Sequence, residues 1–169
     1  MLTLILRGLP FDQLKSDYIK GKSVLYHEKT LATIQAIDNN IEFSIHPQLE
    51  MTQYEVLRGV ILENMATNAV ELDESGCQLG YLANGEPAYL IKNWEPWKEF
   101  LMKAKLRTLE GQNVNLKNES GEELGNGLLA EYTTESEPFR ITSCTIITTF
   151  GERKFEGTDL RVEPTNQFS

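Results

Sequence analysis

Two histidines, His27 and His46, are the side chains of this sequence that could carry acid–base or metal chemistry near neutral pH. Both fall in a predicted group of short strands, with Glu28 and Glu42 nearby in the chain. A zinc site needs three or four converging ligands, and no His-x-x-x-His or Cys-x-x-Cys spacing supplies them. A metal-dependent or hydrolytic enzyme using His27 and His46 is therefore an alternative hypothesis, and the expectation for both is a structural or surface role.

Motifs for other chemistries are missing from the sequence. It has no Gly-x-Ser-x-Gly elbow, and Cys77 and Cys144 lie far apart, so we expect reduced thiols. The glycine-rich segment Gly121–Gly127 carries two glutamates and lacks the lysine of a phosphate-binding loop, so it predicts a turn. We expect no cofactor, and the sequence favours a non-enzymatic protein.

The charge of the chain restricts its partners. The 169 residues carry 16 basic and 25 acidic side chains, a formal net charge of −9, shared between residues 1–106 and 107–169. Carboxylates repel a phosphate backbone, so the bulk charge disfavours nucleic acid and anionic membranes. Basic residues outnumber their acidic neighbours in two short clusters: Lys15, Lys20, Lys22 and Lys29, and Lys98, Lys103, Lys105 and Arg107.

The start of the sequence indicates where the protein resides. The residues from Met1 to Leu6 contain a short apolar run, too short for the apolar region of a signal peptide and without its flanking basic residues. No stretch approaches the length of a membrane span. We therefore expect a cytoplasmic protein.

Two helices are predicted, over about 52–65 and 96–107. The first begins with a Thr52-x-x-Glu55 capping box, after which an apolar face recurs at helical spacing. The second has Pro96 in its first turn, a Glu99–Lys103 pair, and the apolar stripe Trp97, Phe100, Leu101 and Ala104.

Short strands are predicted in the rest of the first 106 residues. Asp38-Asn39-Asn40 and Asn84-Gly85 are typical of tight hairpins. We predict N-terminal strands at 1–6, 23–28, 32–37 and 41–45, and a three-stranded meander at 69–73, 77–82 and 88–91.

Beyond Gly111, five strands are predicted, at 113–118, 128–133, 139–148, 153–156 and 160–163. A Gly-x-x-Val opening strand, a glycine-rich first turn, a long middle hairpin and a closing Gly157-Thr158-Asp159-Leu160-Arg161-Val162 segment resemble the SH3-like and Sm-like barrels. The resemblance covers about a third of the chain and implies a fold without a function. A second Gly-x-x-Val at Gly21–Val24 raises the hypothesis of two related barrel halves.

These patterns predict an α+β protein, mostly antiparallel β, with an N-terminal region 1–106 and a small C-terminal barrel-like region 107–169, or one continuous unit. The leading hypothesis is a protein–protein interaction module, and an acidic inhibitor or immunity-type protein that covers a basic site is an alternative. We expect a basic or neutral protein partner and no membrane, while a homo-oligomer stays open. The predicted partner-binding residues are the aromatic side chains Tyr81, Tyr89, Trp94 and Tyr132.

Overall fold

The computed structural model describes residues 1–165 and confirms a mixed α+β fold with two α-helices and mostly antiparallel sheets. Contacts divide the chain into two compact units, with the division in the sequence between Trp94 and Glu95. Unit 1 is residues 1–94 and unit 2 begins at residue 95. The division into domains 1–106 and 107–169 stays a prediction from the sequence.

Unit 1 contains a six-stranded sheet and one long helix. The sheet has the order β2-β3-β4-β5-β1-β6. Its strands are β1 (Leu2–Arg7), β2 (Ile19–Lys20), β3 (Ser23–Tyr26), β4 (Lys29–Ile37), β5 (Asn40–Ile45) and β6 (Glu71–Gly76). The Asp38–Asn39 turn between β4 and β5 is confirmed, with Asp38 at φ +55°. One sheet face is buried because the cross-strand partners Leu4 and Phe43, and Leu6 and Ile41, all have no exposed surface.

Helix α1 (Met51–Thr67) is longer than predicted and begins differently. The predicted Thr52–Glu55 capping box is wrong, because the helix already begins at Met51 and the backbone N–H of Glu50 donates to Oε1 of Gln53. The buried face consists of Tyr54, Leu57, Val60, Ile61 and Asn64. A polar residue thus stands on the apolar face.

The predicted meander at 69–92 is wrong. β6 instead pairs with β1, on the edge of the large sheet. Only β7 (Gly80–Tyr81) and β8 (Pro87–Ala88) pair with each other, across the predicted Asn84-Gly85 turn. Gly85 there has φ +87°, which confirms the reason for a glycine at that position.

Unit 2 contains helix α2 and a closed ring of four antiparallel strands. The helix spans Trp94–Leu109, whereas the prediction was 96–107. The Glu99–Lys103 pair is confirmed at 3.1 Å. The predicted stripe is confirmed in part, since Trp97 is buried but Phe100 is exposed, and Leu106 and Leu109 join the core of the ring as well. The strands are β9 (Asn113–Lys117), β10 (Glu123–Glu135), β11 (Arg140–Thr148) and β12 (Gly151–Pro164).

The ring closes because two long strands each serve two neighbours. β10 pairs with β9 over Glu123–Leu128 and with β11 over Leu128–Glu135. β12 pairs first with β11 and then, over Arg161–Pro164, with β9. The predicted fourth and fifth strands are one strand, since the residues at Gly157-Thr158-Asp159 lie within β12, where its register to β11 shifts.

The hypothesis of two equivalent barrels is wrong, because the sheet of unit 1 is open and only that of unit 2 closes. The local similarity is nevertheless present. Gly21 and Gly111 both have positive φ, and Val24 and Val114 are both fully buried. Each Gly-x-x-Val therefore marks a turn that leads into a strand, which many folds contain.

Replacing Gly59 by alanine is expected to stabilise unit 1 by about 1 kcal/mol, because alanine loses less backbone entropy in a helix. Gly59 lies within α1, and a Cβ there would have nothing within 4 Å. Thermal unfolding followed by circular dichroism measures the change. Gly85→Ala, at φ +87°, is the control and should destabilise; a lower melting temperature for Gly59→Ala contradicts the prediction.

Candidate functional site

The outer face of the ring presents residues in rows across the strands. Asn113, Leu128, Ile147 and Glu152 are successive cross-strand partners on β9, β10, β11 and β12. Glu131, Thr145 and Lys154 form the next row. Cross-strand partners project from the same face of a sheet, so these two rows form one continuous surface.

A groove lies at one end of this surface, where β10 changes its partner from β9 to β11. Gly125 and Gly127 lie along its β10 side, and Ile147 and Phe150 along its β11 side. The groove has a volume of about 620 Å³. A Cβ on Gly127 would lie 2.6 Å from the backbone oxygen of Ile147, so only glycine permits this close approach of the two strands.

Three large apolar side chains are exposed around this groove. Phe150, in the turn between β11 and β12, is 97% exposed, and Leu128 and Ile147 are 39% and 41% exposed. All three line the groove. A cluster of exposed apolar side chains on a protein surface marks an interaction site more often than single exposed residues do. We call Leu128, Ile147 and Phe150 the apolar corner.

A second, more polar groove of about 490 Å³ adjoins the second row. Glu110, Glu131, Tyr132 and Lys154 line it, together with the small residues Ala130, Thr133, Ser143 and Thr145. The hydroxyl of Tyr132 donates to Oε1 of Glu110 at 2.6 Å, and this bond raises the pKa of the tyrosine above its ordinary value. Two glutamates against Lys154 give this lining a net −1, which suits a cationic side chain, and we call it the acidic groove.

The four predicted partner-binding residues fall in different places. Tyr132 lines the acidic groove of unit 2. In unit 1, Tyr81 is 62% exposed on β7, and Tyr89 is half-buried in the next loop. Trp94 is only 2% exposed, and the guanidinium of Arg58 lies 5.7 Å from the centre of its ring.

The two histidines have local contacts. His27 lies in the turn between β3 and β4, with its ring centre 4.1 Å from that of Tyr26. His46 follows β5, and its Nδ1 accepts from the N–H of Gln48 at 3.4 Å. Among residues 1–165, no three His, Cys, Asp or Glu side chains are grouped closely enough to hold a metal ion. The contacts of His27 and His46 are thus with neighbouring residues in the chain.

Both cysteines are free thiols, as the sequence predicts, and the structure shows that both are buried. Burial, with the nearby Glu74 carboxylate, raises the pKa of Cys77 to about 12, and burial raises the pKa of Cys144 to about 11. The thiolate is the reactive form, so both thiols should be inert at neutral pH.

Ellman's reagent tests the state of these thiols. At pH 8 the native protein is expected to show no reaction within minutes, and the protein in guanidinium should show both thiols of the sequence. A thiol that reacts rapidly in the native protein would contradict the burial of Cys77 or Cys144.

Sequence reasoning missed the apolar corner. Phe150 precedes Gly151 between two strands, and a phenylalanine in a turn was the available signal, because turns normally carry polar residues. Leu128 and Ile147 gave none, since apolar residues in strands normally point to the core.

The geometry describes a two-unit α+β protein whose second unit carries an apolar corner and an acidic groove on one strand ring. Comparison of the chain with protein-family models, with curated proteins and with solved structures gives no match. Within residues 1–165, neither helix has the length and apolar character needed to cross a bilayer.

Proposed function

We propose that this protein is a non-enzymatic recognition module, whose unit 2 is a small SH3-like or Sm-like barrel that binds an extended segment of another protein. The observation that carries the proposal is the joint exposure of Leu128, Ile147 and Phe150 around one groove. In protein interfaces a few anchor side chains, once a partner removes them from water, contribute most of the binding free energy.

The charge supports a basic partner. Residues 95–165 carry nine basic and thirteen acidic side chains, a net −4. The acidic groove, with Glu110, Glu131 and the predicted contact Tyr132, adjoins the row that contains Leu128 and Ile147. A segment with an apolar side chain at the corner and a lysine or arginine a few residues away would match both features.

The open edges of β10 support an extended conformation of the bound segment. In the described chain each half of β10 pairs with one neighbouring strand, except around Leu128 and Leu129. The edge of Glu131–Glu135 opposite β11 therefore offers backbone donors and acceptors. A peptide can add to such an edge and gain affinity from its main chain and specificity from alternate side chains.

A peptide-display selection tests the proposal. Random twelve-residue peptides are selected on the purified protein, and the enriched sequences are expected to combine an apolar anchor with Lys or Arg. Phe150→Ser and Ile147→Thr should each weaken their binding at least about tenfold, because they remove the anchor contacts. Both side chains are exposed, so the substitutions leave the core intact.

Tyr81→Ser is the matched control, because it removes another exposed aromatic ring, one that belongs to the predicted contacts of unit 1. Peptides that bind Phe150→Ser as well as the wild type, or that lose binding with Tyr81→Ser instead, would contradict the proposal that the groove of unit 2 is the binding site. Sedimentation of the wild type and Phe150→Ser adds a further check, since a dimer lost in the variant would assign the corner to a second copy of the chain.

The second candidate function is an acidic protein that covers a basic site, and the observation that favours it is that both units are acidic. Residues 1–94 carry seven basic and twelve acidic side chains, a net −5, beside the −4 of unit 2. Such binding would weaken steeply with salt and tolerate Phe150→Ser. Binding through the apolar corner would instead depend little on salt and would be lost with Phe150→Ser.

A further inference from the structure

Unit 1 carries a basic edge in an otherwise acidic protein. Residues 15–29 contain four lysines against Asp17 and Glu28, a net +2, while the rest of the chain carries −11. These residues include β2 and β3, at one edge of the six-stranded sheet. All four lysines are exposed: Lys15, Lys20, Lys22 and Lys29. We call residues 15–29 the basic edge.

Several cations elsewhere in the chain are held in ion pairs, unlike the lysines of the basic edge. Arg7 pairs with Asp73 at 2.8 Å, Lys117 pairs with Glu163 at 2.9 Å, and Arg140 with Glu135 at 2.7 Å. Within the described residues, no lysine of the basic edge lies in an ion pair, and Nζ of Lys29 donates to the neutral side chain of Gln53. Their charge is therefore available to an anionic ligand.

Aromatic rings accompany these charges. Tyr18 and Tyr26 meet edge to face with ring centres 6.0 Å apart, and the imidazole of His27 lies 4.1 Å from the Tyr26 ring. Tyr18 and His27 are both exposed. Planar rings beside unpaired cations are the combination that binds single-stranded nucleic acid, where phosphates contact cations and bases stack on rings.

The turn that carries His27 contains residue types that are uncommon at its backbone angles. His27 and Glu28 join β3 to β4 and both have positive φ, at +48° and +65°. Two-residue hairpin turns of this kind strongly prefer Asn-Gly, because other side chains are strained there. This strained turn places the imidazole of His27 beside the ring of Tyr26.

The segment at the start of the basic edge is held by hydrogen bonds to helix α1. Asn64 of α1 is 1% exposed; its Oδ1 accepts from the N–H of Lys15 at 3.0 Å, and its Nδ2 donates to the Lys15 carbonyl at 2.9 Å. The N–H of Leu25 donates to the carbonyl of Tyr18 at 2.8 Å. The backbone at Lys15 and Tyr18 is thus ordered before any ligand arrives, which lowers the backbone entropy lost on binding.

From these observations we propose that the basic edge binds single-stranded nucleic acid, with phosphates on its lysines and a base stacked on Tyr18 or His27. The bulk charge of −9 disfavours nucleic acid in general, but the Debye length is about 8 Å at physiological ionic strength, so distant carboxylates are largely screened at this edge. An acidic peptide would satisfy the lysines but would not use the rings. This site is independent of the groove proposed for unit 2.

Fluorescence anisotropy with labelled fifteen-residue oligouridine and oligothymidine, at 50 mM salt, tests the site. The wild type is expected to bind, with a slope of log K against log salt of about −2. The double variant Lys20→Glu/Lys22→Glu should weaken binding at least about tenfold, and Tyr18→Leu should weaken it about fivefold without changing the salt slope.

The matched control is Lys105→Glu/Arg107→Glu, which changes the net charge equally at two exposed cations of α2. An equal loss in the control would show non-specific attraction and overturn the site, as would the absence of any anisotropy change up to 100 µM protein. Competition by polyglutamate as effective as by oligouridine, with Tyr18→Leu binding normally, would assign the edge to acidic peptides instead.

Discussion

Gly127→Ala is expected to destabilise the strand ring of unit 2 by about 3 kcal/mol, because the new methyl group would overlap the backbone of β11. The Cβ would lie 2.6 Å from the oxygen and 3.1 Å from the carbon of the Ile147 carbonyl. A flexible side chain could turn away from such a contact, but a paired strand can respond only by moving. The pairing of Leu128 with Ile147 lies beside this contact, so the loss should spread along the ladder.

Gly125→Ala is the matched control, two residues earlier on the same strand. Its Cβ would meet side-chain atoms of Ile146 and Phe155 at 3.4 Å, an ordinary contact, so we expect less than about 1 kcal/mol of change. Hydrogen exchange of β10 to β12, read by mass spectrometry, separates unit 2 from unit 1. Equal protection in Gly127→Ala and the wild type would contradict the prediction.

Asn64→Leu is expected to destabilise unit 1 by about 3 kcal/mol, because it leaves buried polar groups without partners. The side-chain amide makes three hydrogen bonds, to the N–H and carbonyl of Lys15 and to the carbonyl of Val60. Leucine fills a similar volume and can satisfy none of them. The segment around Lys15 should loosen even where the sheet remains folded.

Asn68→Ala is the control, because the amide of Asn68 bonds only within the end of α1 and to Thr67, partly in contact with water. Its expected cost is less than about 1 kcal/mol. Urea unfolding followed by circular dichroism measures both variants. If the basic edge binds as proposed, Asn64→Leu should also weaken oligouridine binding under conditions in which it remains folded, while a stability equal to that of Asn68→Ala would contradict the role of Asn64.

Local patterns predicted the elements well and their pairing less well. The α+β class, two helices and the Asp38–Asn39 and Asn84-Gly85 turns follow from periodicity and turn chemistry, which act over a few residues. The meander failed because β6 pairs with the distant β1. Which strands become neighbours depends on packing across the whole unit, and hydrophobic pattern alone does not encode it.

The site was harder to predict for a related reason. Tyr132 and Trp94 were both predicted as aromatic contact residues, but Tyr132 lines the acidic groove whereas Trp94 is buried. The side of a strand or helix that faces water is decided by its neighbours. Asn64 was missed because a single asparagine at a helical position normally faces solvent, and its partner lies far away at Lys15.

The pairing of the first strand of the ring with its last strand has a consequence for folding during synthesis on the ribosome. Val114, in the first strand of the ring, pairs with Pro164, in the last strand. Until Pro164 has emerged, that edge of β9 remains unpaired, while every pairing of unit 1 is already available. A nascent chain that stalls within β12 would therefore expose an unpaired strand edge, and chains shortened before Arg161 should aggregate rather than remain as smaller stable proteins.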